Sequence, residues 1–134
     1  ANGYQQSATS DIKDYFAWTA DLTIDMPVGD NVLAVRGAFI DSLNNPQTGA
    51  LATTAYFCQA GFAIMNKTWQ PVIKYAATDI NDTSVTTTIA IGVNYFIKGH
   101  NANLKLEYAN TTYDPDGGDK VAGQGITVQG QIFL

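Results

Sequence analysis

From about residue 14 to the end of the chain, apolar and polar residues alternate with a period of two. In a β-strand successive side chains point to opposite faces, so this alternation reads as strands with one apolar and one polar face. The first predicted strand covers about 14–26. Phe16, Trp18, Ala20, Leu22, Ile24 and Met26 fall on one side, and Thr19, Asp21, Thr23 and Asp25 on the other. The second, about 31–42, sets Leu33, Val35 and Phe39 against Arg36. The third, about 53–65, sets Tyr56, Cys58, Ala60, Phe62 and Ile64 against Gln59 and Gly61. The fourth, about 68–78, sets Trp69, Ile73 and Tyr75 against Gln70 and Lys74. The fifth, about 84–98, sets Val85, Ile89, Ile91, Val93, Tyr95 and Ile97 against Thr86, Thr88, Asn94 and Lys98. The sixth, about 102–113, sets Leu104, Leu106 and Tyr108 against Lys105 and Glu107, and the seventh, about 124–134, sets Ile126, Val128, Ile132 and Leu134 against Thr127, Gln129 and Gln131.

No segment repeats with a helical period. The connections leave room only for turns and loops, so neighbouring strands are antiparallel. The predicted fold is all-β: an antiparallel up-and-down meander of about seven long strands, forming part of a transmembrane β-barrel. Residues 1–13 are expected to be an N-terminal loop or short strand, and residues 14–134 the barrel strands. Connections near Val28–Asn31, Asn66-Lys67 and Gly99–Asn101 read as tight. Those at Ser42–Ala52, Asp79–Thr83 and Asp114–Gly123 read as longer. Short turns at one end and longer loops at the other is the pattern of outer-membrane barrels.

Composition narrows the class. Apolar residues make up 46% of the chain and charged residues only 14%, against about 25% charged in ordinary soluble domains. No apolar run approaches the roughly 20 residues a membrane helix needs, so contact with lipid would be made by strands. The net charge of −5 comes without any basic run, which argues against a nucleic-acid partner. The one cysteine, Cys58, leaves no internal disulfide and no cysteine-built metal site. The start of the chain does not combine a basic stretch with an apolar one, so no signal peptide is expected within it.

Three stretches carry a resemblance. IAIGVNYFIKGHNANLKLEY (89–108) reads as strand, tight Lys-Gly-His turn and return strand. DYFAWTADLTIDMPVG (14–29) and YFCQAGFAIMNKTWQPVIKYA (56–76) read as further strand–turn pairs. Together they resemble the phosphate-selective porin O/P family of outer-membrane barrels. The last strand, GITVQGQIFL, is similar to the terminal strand read by the barrel assembly machinery, except that it ends on Leu134 where Phe is commoner. The resemblance implies a sixteen-stranded, usually trimeric channel in the bacterial outer membrane, of which this chain is the C-terminal portion. Complete bacterial barrels have even strand numbers, so seven strands imply either missing strands from the same longer protein or strands from partner chains. Alternatively, residues 3–10 form a short eighth strand and close a small barrel without a wide pore.

Candidate site residues follow from the faces. Asp21, Asp25, Arg36, Lys74, Asn94, Lys105 and Glu107 are candidates to line a pore, where charged rings tune ion selectivity. Phe16, Trp18, Tyr56, Trp69, Tyr75 and Tyr95 are candidates for aromatic belts at the two membrane interfaces. The family's phosphate preference is not expected to carry over, because Arg36 is the only arginine and the chain is acidic. The Asp114–Asp119 loop lacks the spacing of a calcium loop and reads as a solvated turn. His100 has no His or Cys nearby to share a metal. No spacing pairs a base with a nucleophile, so no enzyme activity, metal or cofactor is expected. Passive diffusion of small hydrophilic solutes or ions is the first functional expectation. A structural barrel wall around partner chains and a soluble ligand-binding barrel are the others. Periodicity leaves open which face turns inward.

Overall fold

The computed structural model describes residues 16–42, 52–97 and 102–132. The expected short strand at 3–10, His100 and the last two residues lie outside them. The described residues form seven strands: β1 (Ala17–Val28), β2 (Asn31–Ser42), β3 (Thr53–Ala63), β4 (Trp69–Ile80), β5 (Ser84–Phe96), β6 (Ala102–Pro115) and β7 (Val121–Ile132). They make one sheet in the order β1-β2-β3-β4-β5-β6-β7, every neighbouring pair antiparallel. Each strand touches only its sequence neighbours. β1 and β7 do not meet, so the sheet is open. All the residues of both outer strands are exposed.

The strands have 11 to 14 residues, about twice the usual length in soluble sheets. β2 has the predicted bounds. β1 and β4 run two residues further than the alternation predicted, because Pro27 and Asp79 continue the pairing, opposite Val32 and Val85. β7 begins at Val121, three residues earlier than expected. Gly123 and Gly125 are poor strand formers by propensity, but their pairing with Thr111 and Ala109 holds them in the ladder.

The turns correct one expectation. At the Gly29 end the connections are 29–30, 64–68 and 97–101. At the other end they are 43–52, 81–83 and 116–120. Only 43–52 is long, and the Asn81–Thr83 connection is tighter than the one after β3. Loop length therefore does not separate the two ends. The β4–β5 pairing extends as far as Ile80↔Ser84 and absorbs residues that sequence reading left in a loop. Gly29-Asp30 makes a two-residue turn with positive φ at Gly29 (61°) and not at Asp30, as a type II′ hairpin requires. After β3, Met65, Asn66 and Lys67 all take left-handed backbone, with φ of 51°, 57° and 64°. The Thr68 N–H donates to the Ile64 carbonyl at 3.1 Å and closes this turn.

The register fixes the two faces. Among the described residues the buried ones are few and small: Ala63, Ala77, Ala90, Ser42, Ser84 and Gly61. The described residues form no central apolar core. Large apolar side chains of one face stand about half exposed, among them Leu22, Ile73, Ile89, Ile91, Leu104 and Leu106. The alternate positions carry small and polar residues that are less exposed. A cavity of about 690 Å³ is bounded on that second face by residues from β1 to β5, including Asp25, Arg36, Gln59, Gln70 and Asn94. The sheet is thus concave on its polar side and convex on its apolar side.

Candidate pore-lining face

All seven predicted lining residues project from the concave face. Register pairs Thr23 with Arg36, Arg36 with Gln59, and Gln59 with Lys74. One step along, Asp25 is level with Ala34, Gly61, Val72, Gly92 and Glu107. A further step brings Gln70, Asn94 and Lys105 into one row.

Three of these residues form a network. Lys74 Nζ lies 3.1 Å from Glu107 Oε1, and Lys105 Nζ lies 2.8 Å from Glu107 Oε2. Each carboxylate oxygen accepts from a different ammonium, a charge-assisted arrangement. The glutamate is sheltered (13% exposed side chain), while the two lysines retain 28% and 31%. Lys105 and Glu107 are two residues apart on β6, so alternation puts them on one face. Lys74 is on β4 and must reach across β5. The intervening residues are Ala90, the partner of Lys74, and Gly92, the partner of Glu107. At Gly92 a Cβ would stand 2.7 Å from the Leu106 carbonyl oxygen and 3.4 Å from the Glu107 Cβ. Glycine is therefore needed for the close approach of β5 and β6, and it leaves an open corridor for the lysine chain.

A similar device holds the amides. Asn94 Nδ2 donates to Gln70 Oε1 at 3.0 Å. The Gln70 side chain lies over Gly61, where a Cβ would meet its Nε2 at 3.1 Å. Thr88 and Thr111 share a 2.9 Å hydrogen bond nearer the other end. Asp21, Asp25 and Arg36 make no ion pair among the described residues. The concave face therefore carries free acids on β1, a free guanidinium on β2, and a net positive cluster of two lysines and one glutamate between β4 and β6. Such a surface presents opposite charges at separate places. Backbone polar groups are paired in the ladder, so side chains set its chemistry.

The aromatic candidates take the convex face. Trp69 and Tyr95 are register partners with ring centroids 4.5 Å apart. Tyr56 and Tyr75 sit 6.0 Å apart, and Trp18 contacts Phe39 at 5.0 Å. Phe16 precedes β1 and is 58% exposed. Cys58 is exposed on the same face, between Gly37 and Tyr75. At the far end, Lys120 Nζ lies 3.7 Å from Asp114 Oδ2, and the Asp116 N–H donates to the Thr83 carbonyl at 2.8 Å. The second of these contacts ties the predicted solvated turn to the β4–β5 turn.

Comparison with known proteins gives no match: no family model, no curated protein and no solved structure is similar to this chain.

Sequence reading assigned the faces but missed the contacts. The Lys74–Glu107 pair spans a strand, and the only sequence signal for the gap is the small pair Ala90 and Gly92 between bulkier neighbours. Gln59 and Gln70 belong to the lining as much as Asn94 does, since both border the cavity with it. Alternation placed them on that face, but they were not singled out there.

Proposed function

We propose that this chain is a segment of an outer-membrane β-barrel of the porin type, through which small hydrophilic solutes or ions diffuse passively. One observation carries the reading. The convex face exposes large apolar side chains to the surroundings, while the concave face shelters the Lys74–Glu107–Lys105 network. A soluble barrel places its apolar residues inside. The opposite arrangement suits a wall with lipid outside and water inside.

The open sheet favours a barrel shared with further strands. β1 and β7 run in the same direction, being first and seventh in an antiparallel meander. Antiparallel closure then takes an odd number of additional strands, from the same longer protein or from partner chains. A homotrimer of complete barrels, as the porin O/P resemblance implies, fits this reading. The mixed lining supports no phosphate preference.

Reconstitution in a planar lipid bilayer tests the proposal. Stepwise conductance increments are expected from the protein with its full complement of strands. A folded, inserted assembly that passes no current would leave the wall role and remove the channel.

A further inference from the structure

We propose that the cavity on the concave face is a binding site for acidic α-amino acids, with Arg36, Lys67 and Asp25 each meeting one charge of the solute. The proposal deepens the channel reading and rests on its water-filled concave side, adding the class of solute that is held there.

Polar residues of the concave face fall into two groups. Between β4 and β6, Lys74, Lys105 and Glu107 satisfy one another. Around the cavity of about 690 Å³, a volume within the range of roughly 300–1,000 Å³ for small-molecule sites, the formal charges are unmatched. Arg36, Lys67 and Asp25 border it, and none of the three has a hydrogen bond or ion pair among the described residues.

Register sets where these charges stand. Arg36 is level with Thr23 and Gln59, and Asp25 is level with Ala34, two residues along. Asp25 and Arg36 are therefore diagonal neighbours on one face, about 7–8 Å apart at the backbone. Lys67 lies beyond the end of β3 at Ala63, at least about 14 Å along the strand from the level of Gln59. The turn that holds it takes left-handed backbone at Met65, Asn66 and Lys67, a conformation unfavourable for any residue with a Cβ. It brings Asn66 and Lys67 to the cavity edge.

Between the charges the floor is low. Ala34 pairs with Gly61, and Gly61 and Ala63 are buried. The Gln70 side chain reaches back over Gly61, its Nε2 3.1 Å from where a Cβ would stand. Gln70 Oε1 accepts from Asn94 Nδ2, so the Gln70 Nε2 is left to donate into the cavity.

Charge matching selects the ligand. A simple anion leaves Asp25 unmatched, and a simple cation leaves Arg36 and Lys67 unmatched. A neutral zwitterion answers Arg36 and Asp25 but not Lys67. Two carboxylates and one ammonium answer all three. The α-carboxylate and α-ammonium of an amino acid share one carbon. Each takes a charge-assisted hydrogen bond of about 2.8 Å, so together they fit the diagonal gap between the Arg36 fork and the Asp25 carboxylate. The second carboxylate then extends over Gly61 and Ala63 toward Gln70 Nε2 and the flexible lysine chain of the turn.

Titration calorimetry tests the site on the protein with its full complement of strands, folded in detergent micelles. The solutes are L-glutamate, L-glutamine, which lacks the second carboxylate, and glutarate, which lacks the ammonium. L-glutamate is expected to bind at least about tenfold more tightly than either analogue, because each forfeits one charge-assisted contact. This comparison needs no variant. Lys67→Gln is expected to weaken L-glutamate about tenfold and leave L-glutamine unchanged. Asp25→Asn is expected to weaken L-glutamate about tenfold without weakening glutarate. Asp119→Asn, in the turn at the far end, is expected to change none of them. Equal affinity for the three solutes, an equal loss with Asp119→Asn, or no binding heat at all would overturn the proposal. Bilayer currents separate it from the channel reading. Conductance without L-glutamate binding removes the site and keeps the channel. The expected binding pattern without conductance upholds the site and removes the channel.

Discussion

The two faces of β5 and β6 differ in size, charge and exposure, although they are built from alternate residues of the same strands. The convex side presents Ile89, Ile91, Val93, Leu104, Leu106 and Tyr108. The concave side presents Thr88, Ala90, Gly92, Asn94, Lys105, Glu107 and Ala109. Bulk faces outward and small or hydrogen-bonded groups face inward. Small residues inside let the sheet curve and let long chains reach over one another, as Lys74 does over Gly92. Large residues outside stay about half exposed, touching chiefly their neighbours on the same face. Curvature and solvent preference are therefore set by one alternation.

A charge on the wrong face would break this contrast most severely. Ile91→Arg, at the middle of the convex band, is expected to destabilise the inserted protein by about 2–4 kcal/mol, measured by urea titration from vesicles. Thr88→Arg, three residues away on the concave face, is expected to change stability by less than about 1 kcal/mol, in line with lumen substitutions that tune selectivity instead. Equal effects at the two positions would mean that the faces do not see different solvents.

Filling the corridor is the next largest test. Gly92→Val places a Cβ where 2.7 Å already separates that position from the Leu106 oxygen. The β5–β6 pair must then shift, at a cost of about 1–3 kcal/mol. Ala90→Gly opens space without a clash and is expected to cost no more than about 1 kcal/mol.

The lining can be altered with little effect on the fold. Glu107→Gln removes the charge between two lysines and leaves the concave face more positive. A channel with this change is expected to shift its reversal potential toward anion preference. At about 1 kcal/mol for a charge near 4 Å in water, the relative permeability would change roughly fivefold. Asp25→Asn is expected to shift it in the same direction and by less, because Asp25 lies apart from the cation cluster. The smallest effect concerns a turn. Lys67→Gly relieves a left-handed backbone of φ 64° and is expected to stabilise the protein by no more than about 1 kcal/mol.

Much of this architecture was legible from alternation alone, because a period of two dictates both strand and face. The seven strands and the shared face of Asp21, Asp25, Arg36, Lys74, Asn94, Lys105 and Glu107 follow from it directly. Curvature did not, since the same pattern suits either face inside. The decision came from exposure: Ile91 stands open while Glu107 is sheltered. Turn lengths were misread around Ile80 and Ser84, where polar residues suggested a loop but the ladder continues. The porin O/P resemblance has no counterpart in the comparisons, so the functional reading stands on the faces.

The most direct test of those faces is thiol accessibility along β5 in the vesicle-inserted protein. Single cysteines at 88 to 94 in the Cys58→Ser background are exposed to a charged, membrane-impermeant reagent. The expected result is strict alternation, with Thr88→Cys, Ala90→Cys and Asn94→Cys modified and Ile89→Cys, Ile91→Cys and Val93→Cys protected. The reverse alternation, or uniform reaction at every position, would contradict a water-facing concave side and a lipid-facing convex one.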